Sequence, residues 1–197
     1  MTKVLFVPFS DPSIPQAGSQ LEWKRRTLWD NSARNDLIAE IALGLSRKPR
    51  KTLRKWGVNW KDVNLPGIAK VTILVETPEH ARRLSELLPL WEVQEVIPFD
   101  YELHEVEADP SDDPPPGHIA TLVFAARFGI RSKIVVRATG RTGTLCEEWF
   151  RDGRGLGIPL IVDFRDHSNQ RAGNDSDFRR HEYHEQNFRE LRPTKTA

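Results

Sequence analysis

Residues 70–97 read KVTILVETPEHARRLSELLPLWEVQEVI, and this stretch decides the fold. Its first part, Val71 to Val75, is an unbroken run of β-branched and aliphatic residues, which is typical of a strand buried on both faces of a parallel sheet. Thr77 is a good N-cap and Pro78 a good first helical residue, so a helix is predicted to begin there. A second short strand over 91–97 completes a β-α-β unit, and this unit predicts an α/β domain.

Similar elements are predicted on both sides of this unit. Residues 133–139 (KIVVRAT) and 158–164 (IPLIVDF) are apolar runs of strand length. Upstream, Asn31 or Ser32 can cap a helix over 34–45, whose apolar residues recur at the 3.6-residue period of a helix with one buried face. The alternation of strands and helices therefore continues through most of the chain.

Length and composition favour a single globular domain. The 197 residues are enough for one sizeable core but few for two full α/β domains. Hydrophobic residues make up 38% and charged residues 29%, and no apolar run approaches the roughly 18 residues that a membrane helix needs. The apolar stretch at the N-terminus is too short for a secretory signal, so a cytoplasmic location without membrane contact is expected. Cys146 is the single cysteine, which excludes an intramolecular disulfide.

The distribution of polar residues divides the chain into three parts. We interpret residues 1–30 as an N-terminal strand and linker, and residues 31–166 as the α/β domain. Residues 167–197 are polar and are interpreted as a C-terminal tail with at most one amphipathic helix, around 177–191.

The net charge of +1 hides two blocks of opposite sign. The basic segment, residues 47–61 (RKPRKTLRKWGVNWK), holds seven Lys or Arg and no carboxylate. The acidic segment, residues 98–117, holds seven Asp or Glu and ends in a proline-rich run, which predicts a surface loop. Both segments are interpreted as insertions in the α/β domain.

Three stretches resemble, in their order and spacing, the second (C-terminal) RecA-like domain of superfamily-two helicases of the phage and restriction-enzyme type. NSARNDLIAEIA (31–42) followed by KVTILVETPEHARRLSELLP (70–89) is similar to the opening helix and motif IV of that family. IATLVFAARFGI (119–130) is similar to motif V, and EEWFRDGRGLGIPLIVDFRD (147–166) is similar to motif VI. The resemblance implies a single RecA-like domain of the P-loop NTPase type, with a mostly parallel sheet flanked by helices.

The resemblance also implies roles in nucleotide chemistry for four residues. Arg154 would supply the arginine that stabilises a transferred phosphoryl group, with Arg151 as the neighbouring candidate, because a planar guanidinium binds phosphate oxygens bidentately and keeps its charge. Gly129 and Gly153 would lie next to the nucleotide, where glycine permits close approach of the backbone. In the alternative interpretation, Arg154 is a surface residue at the end of a helix.

Nucleic acid is the second expected ligand. The resemblance implies that the hydroxyl of Thr121 approaches a nucleic-acid backbone. Independently, the basic segment combines cations for phosphate with indole rings for base stacking, in Lys51, Arg54, Lys55, Trp56 and Trp60. The alternative is a solvated basic loop whose tryptophans attach it to the core.

Two further patterns leave alternatives open. RATGRTG (137–143) follows a predicted strand, and Arg137 and Arg141 in it either meet phosphate or face solvent. His181 and His184 are spaced as a metal-binding pair on a helix, but without an evident third ligand a solvated helix face is the simpler interpretation.

The sequence departs from the family in ways that bear on activity. It has no G-x-x-x-x-G-K-[ST] loop and no Asp-Glu box, which are the elements that bind triphosphate and magnesium. Ile130-Arg131 stands where the family has a hydrophobic residue and aspartate, and Phe150 stands where it has glutamine. The chain is therefore not expected to hydrolyse ATP alone, and it would meet ATP and Mg²⁺ only with a first RecA-like domain supplied in trans.

These observations favour a helicase-type module that completes an ATPase on another chain. The expected partners are a P-loop-containing helicase half and DNA or RNA. A different class is a non-motor module on the same scaffold that binds nucleic acid or protein. A Rossmann-like enzyme is the third class, although no G-x-G-x-x-G follows a predicted strand.

Overall fold

The computed structural model describes residues 2–14, 18–63, 65, 69–95, 116–130, 132–140, 145, 149 and 160–192. Within these residues the strands are β1 (Lys3–Phe9), β2 (Val71–Val75), β3 (Glu92–Gln94), β4 (Gly117–Thr121), β5 (Ile134–Arg137), β6 (Leu160–Asp166) and β7 (Arg189–Leu191). They form one sheet in the order β3-β4-β2-β5-β6-β1-β7, and every neighbouring pair is parallel.

Helices cover both faces of this sheet. They are α1 (Gln20–Lys24), which continues as a π-helical turn (Arg25–Trp29), α2 (Ser32–Arg47), α3 (Pro49–Lys55), α4 (Pro78–Leu87), α5 (Leu122–Phe128) and α6 (Gln170–Glu185), with a 3₁₀ turn at Trp60–Asp62. The predicted α/β class, with a parallel sheet flanked by helices, is confirmed, and this architecture is consistent with a single RecA-like domain.

Each face of the sheet has its own hydrophobic core. Alternate side chains of the strands point to opposite faces, so neighbours such as Ile73 and Leu74 belong to different cores. On the first face, α2, α3 and α4 pack over one set of strand residues. On the second face, α5 and α6 pack over the other set. No helix in the described ranges has both the length and the apolar character that would let it cross a bilayer.

The β-α-β unit that decides the fold is present, although its second strand is described only at Glu92–Gln94, within the predicted 91–97, and residues 96–97 lie outside the described ranges. The strand occupies Val71–Val75, and the hydroxyl of Thr77 caps α4 by accepting a hydrogen bond from the amide of His80 at 3.2 Å. Asn31 is the N-cap of α2, because its side-chain oxygen accepts from the amide of Arg34 at 2.8 Å.

The two ends of the chain belong to the same sheet as its middle: the predicted N-terminal strand is present as β1, whereas the predicted polar tail contributes β7 to the sheet. β1 lies between β6 and β7, so residues 3–9 are a central strand. After residue 167 the chain forms a 16-residue helix, Gln170–Glu185, and then the edge strand β7. The polar sequence of residues 167–197 predicted a solvated tail because the face of α6 that packs on the sheet is itself largely polar. Ser176 and Arg179 are buried on that face.

Candidate functional site

The strands end together at one side of the sheet, here called the carboxyl edge. In open parallel sheets, ligands bind beyond the carboxyl ends of the strands, where connections leave toward opposite faces. Val75 at the end of β2 pairs with Thr121 at the end of β4, and Leu74 pairs with Arg137 on β5. The motif IV-like and motif V-like stretches, far apart in sequence, therefore end side by side.

Thr121 starts α5 at the carboxyl edge. Its side chain is buried, and its hydroxyl accepts a hydrogen bond from the amide of Phe124 at 3.2 Å as the helix N-cap. The residue expected to touch a nucleic-acid backbone thus has a local structural role, although a hydroxyl that accepts one bond still has its hydrogen to donate.

Gly129 lies at the other end of α5, eight residues after Thr121, which is about 12 Å at the helical rise. Its φ of +75° is a conformation that glycine adopts without strain. A Cβ atom there would approach the carbonyl oxygen of Trp149 to 3.3 Å, so close packing also favours glycine. The structure gives Gly129 a role as a helix terminator and does not place it at the end of a strand.

The remaining nucleotide residues, Arg151, Gly153 and Arg154, lie outside the described residues, as does Arg141. The described part of the motif VI-like stretch is Trp149 and β6. The carbonyl oxygen of Trp149 accepts a hydrogen bond from the amide of Ile130 at 2.6 Å, so the start of this stretch packs beside the end of α5.

Arg137 neither faces solvent nor is open to phosphate, contrary to both alternatives from the sequence. It is fully buried on the second face, where its Nε donates to the hydroxyl of Thr139 at 2.8 Å and its Nη1 donates to the hydroxyl of Tyr183 at 3.0 Å. Its Nε lies 4.0 Å from a carboxylate oxygen of Asp163. Arg137 therefore links the end of β5 to β6 and α6.

Asp163 is the centre of this buried cluster. Nε of Arg179 donates to both of its oxygens at 3.2 and 3.1 Å, and the hydroxyl of Tyr183 donates at 2.8 Å. Burial alone would raise the pKa of Asp163, but the charges of Arg179 and Arg137 and the hydrogen bonds from Arg179 and Tyr183 hold it below its usual value. The carboxylate is thus ionised at neutral pH, with two guanidinium groups around it.

A third buried arginine, Arg34, lies in the first turn of α2 and faces the first core. Arg34 is 1% exposed; its Nη1 donates to the carbonyl oxygen of Ala138 at 3.0 Å, and its guanidinium lies 5.1 Å from the ring centre of Phe164. Among the described residues its Nε has no hydrogen-bond partner, and no carboxylate oxygen lies within the 4.0 Å of an ion pair. Burial lowers its pKa to about 10, so Arg34 still carries a charge at neutral pH.

His80, in the first turn of α4, is within reach of the charge of Arg34, and we call Arg34, Asn35 and His80 the polar cluster of the first face. Nε2 of His80 is 3.0 Å from the side-chain oxygen of Asn35, and the histidine is fully buried. Burial, and then the charge of Arg34, lower its pKa to about 3, so the imidazole is neutral at physiological pH. Sequence reasoning missed this cluster, although spacing carried a signal: Arg34 lies four residues before Ile38 on the buried stripe of α2, and His80 four residues before Leu84 on that of α4.

The first helical elements of the chain lie across the carboxyl edge. We call residues 20–29, which comprise α1 and the π-helical turn, the cover. Lys24 forms an ion pair with Glu76, just after β2, and the two side chains are each 13% exposed. The guanidinium of Arg171, in the first turn of α6 after β6, lies 4.6 Å from the ring centre of Trp23.

The cover also packs tightly on the end of β5. A Cβ atom at Gly140 would lie 2.7 Å from Cδ1 of Leu28, so the close approach depends on glycine. Through these three contacts the cover lies over the ends of β2, β5 and β6. A ligand or partner that reaches this part of the carboxyl edge must contact or displace the cover.

The basic segment is not a loop but a helix and a turn, and it lies at the other end of the sheet. The side-chain amide of Asn31 donates to Asp11, just after β1, at 2.9 Å, which places the N-terminus of α2 at the carboxyl edge. The 16 residues of α2 extend about 24 Å toward the amino ends of the strands. The basic segment comes after α2 in the chain, at this amino end of the sheet, and leads toward the start of β2 at Val71. Thr121 and the basic segment therefore do not form one surface.

Within the basic segment, the expected phosphate ligands and the expected stacking residues differ in exposure. Lys51, Arg54 and Lys55 are exposed, whereas Trp56 and Trp60 are partly buried against the first core. The tryptophans thus attach the segment to the core, as the alternative interpretation expected, while binding of nucleic acid by this segment stays a prediction.

The histidine pair on α6 has an ordinary surface environment. His181 is exposed and lies 3.3 Å from the carboxylate of Glu185, one helical turn further on. In the described ranges no three His, Cys, Asp or Glu side chains are grouped as a metal site.

Comparison with known proteins identifies no family for this chain. A scan against protein-family models finds no match, and a search of curated proteins finds no relative.

Proposed function

We propose that this chain is a helicase-type second RecA-like module, which completes an ATPase whose P-loop is on another chain. The observation that carries the proposal is the pairing of β2 with β4, with Val75 beside Thr121. This pairing brings the motif IV-like and motif V-like stretches to the same edge of one parallel sheet. A partner that presents a nucleotide to the carboxyl edge would meet both.

The proposed contribution to catalysis is charge and position. Phosphoryl transfer needs stabilisation of charge on the transferred group, and an arginine supplied by a second module accelerates it by roughly 10³- to 10⁵-fold. We assign this part to Arg154, with Arg151 as the neighbouring alternative. ATP and Mg²⁺ would be bound by the partner, and this chain would close the site.

The test is ATP hydrolysis in trans. P-loop-bearing first domains isolated from superfamily-two helicases are mixed with increasing amounts of the chain, and steady-state hydrolysis is measured. We expect stimulation that saturates with the chain and that is lost with Arg154→Ala. Arg154→Lys should restore little of it, because an ammonium cannot bind two phosphate oxygens with a fixed fork.

Two controls make a negative result informative. Each first domain is also mixed with its own second domain, which must restore hydrolysis for that preparation to count. Arg189→Ala changes an exposed arginine at the start of β7 and should leave the stimulation unchanged. If competent first domains are not stimulated by saturating chain, the proposed function is wrong.

One observation favours the second candidate, a non-motor binding module on the same scaffold. The cover packs closely on the carboxyl edge, with the Lys24–Glu76 ion pair and the Leu28–Gly140 contact. If the cover stays in place, a partner's nucleotide cannot reach the ends of β2 and β5. The experiment above separates the two candidates, because a non-motor module gives no stimulation with any first domain.

A further inference from the structure

The outward face of α3 is a compact basic surface. Arg50, Lys51, Arg54 and Lys55 occupy positions i, i+1, i+4 and i+5, which fall within an arc of about 140° at 100° per residue. All four side chains are exposed. The opposite side of the helix is anchored by the buried Leu53, so this arc faces solvent.

Few acidic groups neutralise this surface. The basic segment holds seven Lys or Arg, all exposed, and among the described residues only Lys55 has an ion-pair partner, Glu40. The charges of the others are not matched by a carboxylate within ion-pair distance in the described part of the chain. A dense, unmatched positive surface favours a polyanion as its ligand.

The surface lacks the apolar side chains that would suit a membrane. Helices that bind in the headgroup region of bilayers insert an apolar face beside their basic one. The large hydrophobic residues that are exposed in the described ranges, such as Leu90 and Val123, all lie outside the basic segment. Phosphates displayed along a nucleic acid therefore fit this surface better than a lipid bilayer does.

The two tryptophans are already engaged. Trp56 and Trp60 pack against the first core. The guanidinium of Arg50 lies 5.3 Å from the ring centre of Trp60, and the ammonium of Lys55 lies 5.7 Å from that of Trp56. Contacts with the core and with a cation therefore already engage each partly buried indole, which disfavours stacking of a base on it.

We propose that the outward face of α3 binds the phosphate backbone of nucleic acid without stacking on its bases. Both single strands and duplexes are then ligands, and base composition matters little. The surface lies at the amino ends of the strands, away from the carboxyl edge. The inference therefore stands independently of the proposed function.

Salt dependence gives the surface a quantitative signature. Each neutralised phosphate contributes a slope of about −0.9 in log K against log salt for duplex DNA and about −0.7 for a single strand. Contact through all four cations of α3, which requires Lys55 to leave Glu40, therefore predicts limiting slopes of about −3.6 and about −2.8, respectively.

The experiment measures binding of the full chain to labelled 30-nucleotide oligonucleotides, single-stranded and duplex, by fluorescence anisotropy. We expect affinities for the two forms within roughly tenfold at the same salt concentration. The triple variant Arg50→Glu, Lys51→Glu and Arg54→Glu should weaken both at least 30-fold. Trp60→Phe should change neither by more than about twofold, since the aromatic packing against the core is kept.

A matched control replaces three exposed arginines elsewhere, Arg82, Arg127 and Arg189, with glutamate and makes the same change in net charge. It should weaken binding less than threefold. Thermal unfolding by circular dichroism checks that both triple variants fold. Equal losses in the two triple variants would show that net charge, not α3, governs binding.

Two other results would overturn the inference. A single strand that binds much more tightly than duplex, with the preference lost in Trp60→Phe or Trp60→Ala, would show that bases stack on the indole. Binding to vesicles of phosphatidylserine, with no binding to either oligonucleotide, would identify a membrane surface.

Discussion

The arginines packed on the sheet and the arginines on α3 have opposite environments. Arg34, Arg137 and Arg179 are buried, and their guanidinium groups donate to backbone, hydroxyl or carboxylate oxygens that link strands to helices. On α3, Arg50 and Arg54 are exposed and have no carboxylate partner in the described chain. The enclosed arginines use their hydrogen bonds for the fold, whereas the exposed ones keep their charge available to a ligand.

The largest effect is expected where the buried cluster loses Asp163, the carboxylate at its centre. Asp163→Asn removes the carboxylate that lies between the buried guanidinium groups of Arg137 and Arg179, which should lower the free energy of unfolding by about 3–5 kcal/mol. Urea unfolding followed by circular dichroism measures it. Asp177→Asn, which breaks the exposed pair with Arg165, should cost less than about 1 kcal/mol. Similar losses in both variants would contradict the central role of Asp163.

The polar cluster of the first face should make stability depend on pH through His80. The pKa of His80 is about 3 in the folded chain and 6.5 as the ordinary value, so the unfolded chain binds a proton between these values that the folded chain does not. The stability that the neutral His80 contributes is fully present above pH 6.5 and is lost as the pH falls toward 3. The slope approaches about 1.4 kcal/mol per pH unit.

Urea unfolding at pH 6.5, 5.5 and 4.5 tests this slope. His80→Gln should reduce the slope of the unfolding free energy against pH by nearly the value that one proton contributes. The substitution also lowers the free energy of unfolding at every pH. His181→Gln is the matched control on an exposed histidine and should leave the slope as it is. An unchanged slope in His80→Gln would show that His80 is accessible to protons in the folded chain.

A smaller effect is expected from loosening the cover. Gly140→Ala places a Cβ atom 2.7 Å from Cδ1 of Leu28, so the side chain must move, at a cost of about 1–3 kcal/mol. Limited trypsin digestion should then cut faster after Lys24, Arg25 and Arg26. Gly173→Ala is the control: its nearest neighbour would be 3.8 Å away, and alanine favours a helix. Equal digestion rates would mean that the cover does not depend on this contact.

Local patterns in the sequence sufficed for much of the fold. The apolar run at Val71–Val75, the Thr77 cap and the Asn31 cap each act within a few residues, and each prediction was confirmed. The structure of α6 was harder to predict, because its buried face is polar and is satisfied by Asp163, which lies on β6. Hydrophobic periodicity cannot reveal a helix that packs through ionic contacts.

The candidate site was harder to predict than the fold. Burial of Arg137 depends on Tyr183 and Asp163, which are remote in sequence. The position of the basic segment opposite Thr121 follows from the direction of α2 across the sheet, which no local motif encodes. The cover is likewise formed by contacts with residues after three different strands. Residue type and spacing identified candidates, but only tertiary contacts showed which of them are already occupied.

ATP hydrolysis in the presence of nucleic acid tests most directly whether the two regions have separate functions. A competent first domain is mixed with the wild-type chain, Arg154→Ala, or the charge-reversed α3 variant, and hydrolysis is followed against oligonucleotide concentration. Arg154→Ala should abolish the stimulated rate at every concentration. The α3 variant should keep the maximal rate and need more oligonucleotide to reach it. Hydrolysis by the chain alone that survives both Arg154→Ala and further purification would contradict the proposal of a partner-dependent module.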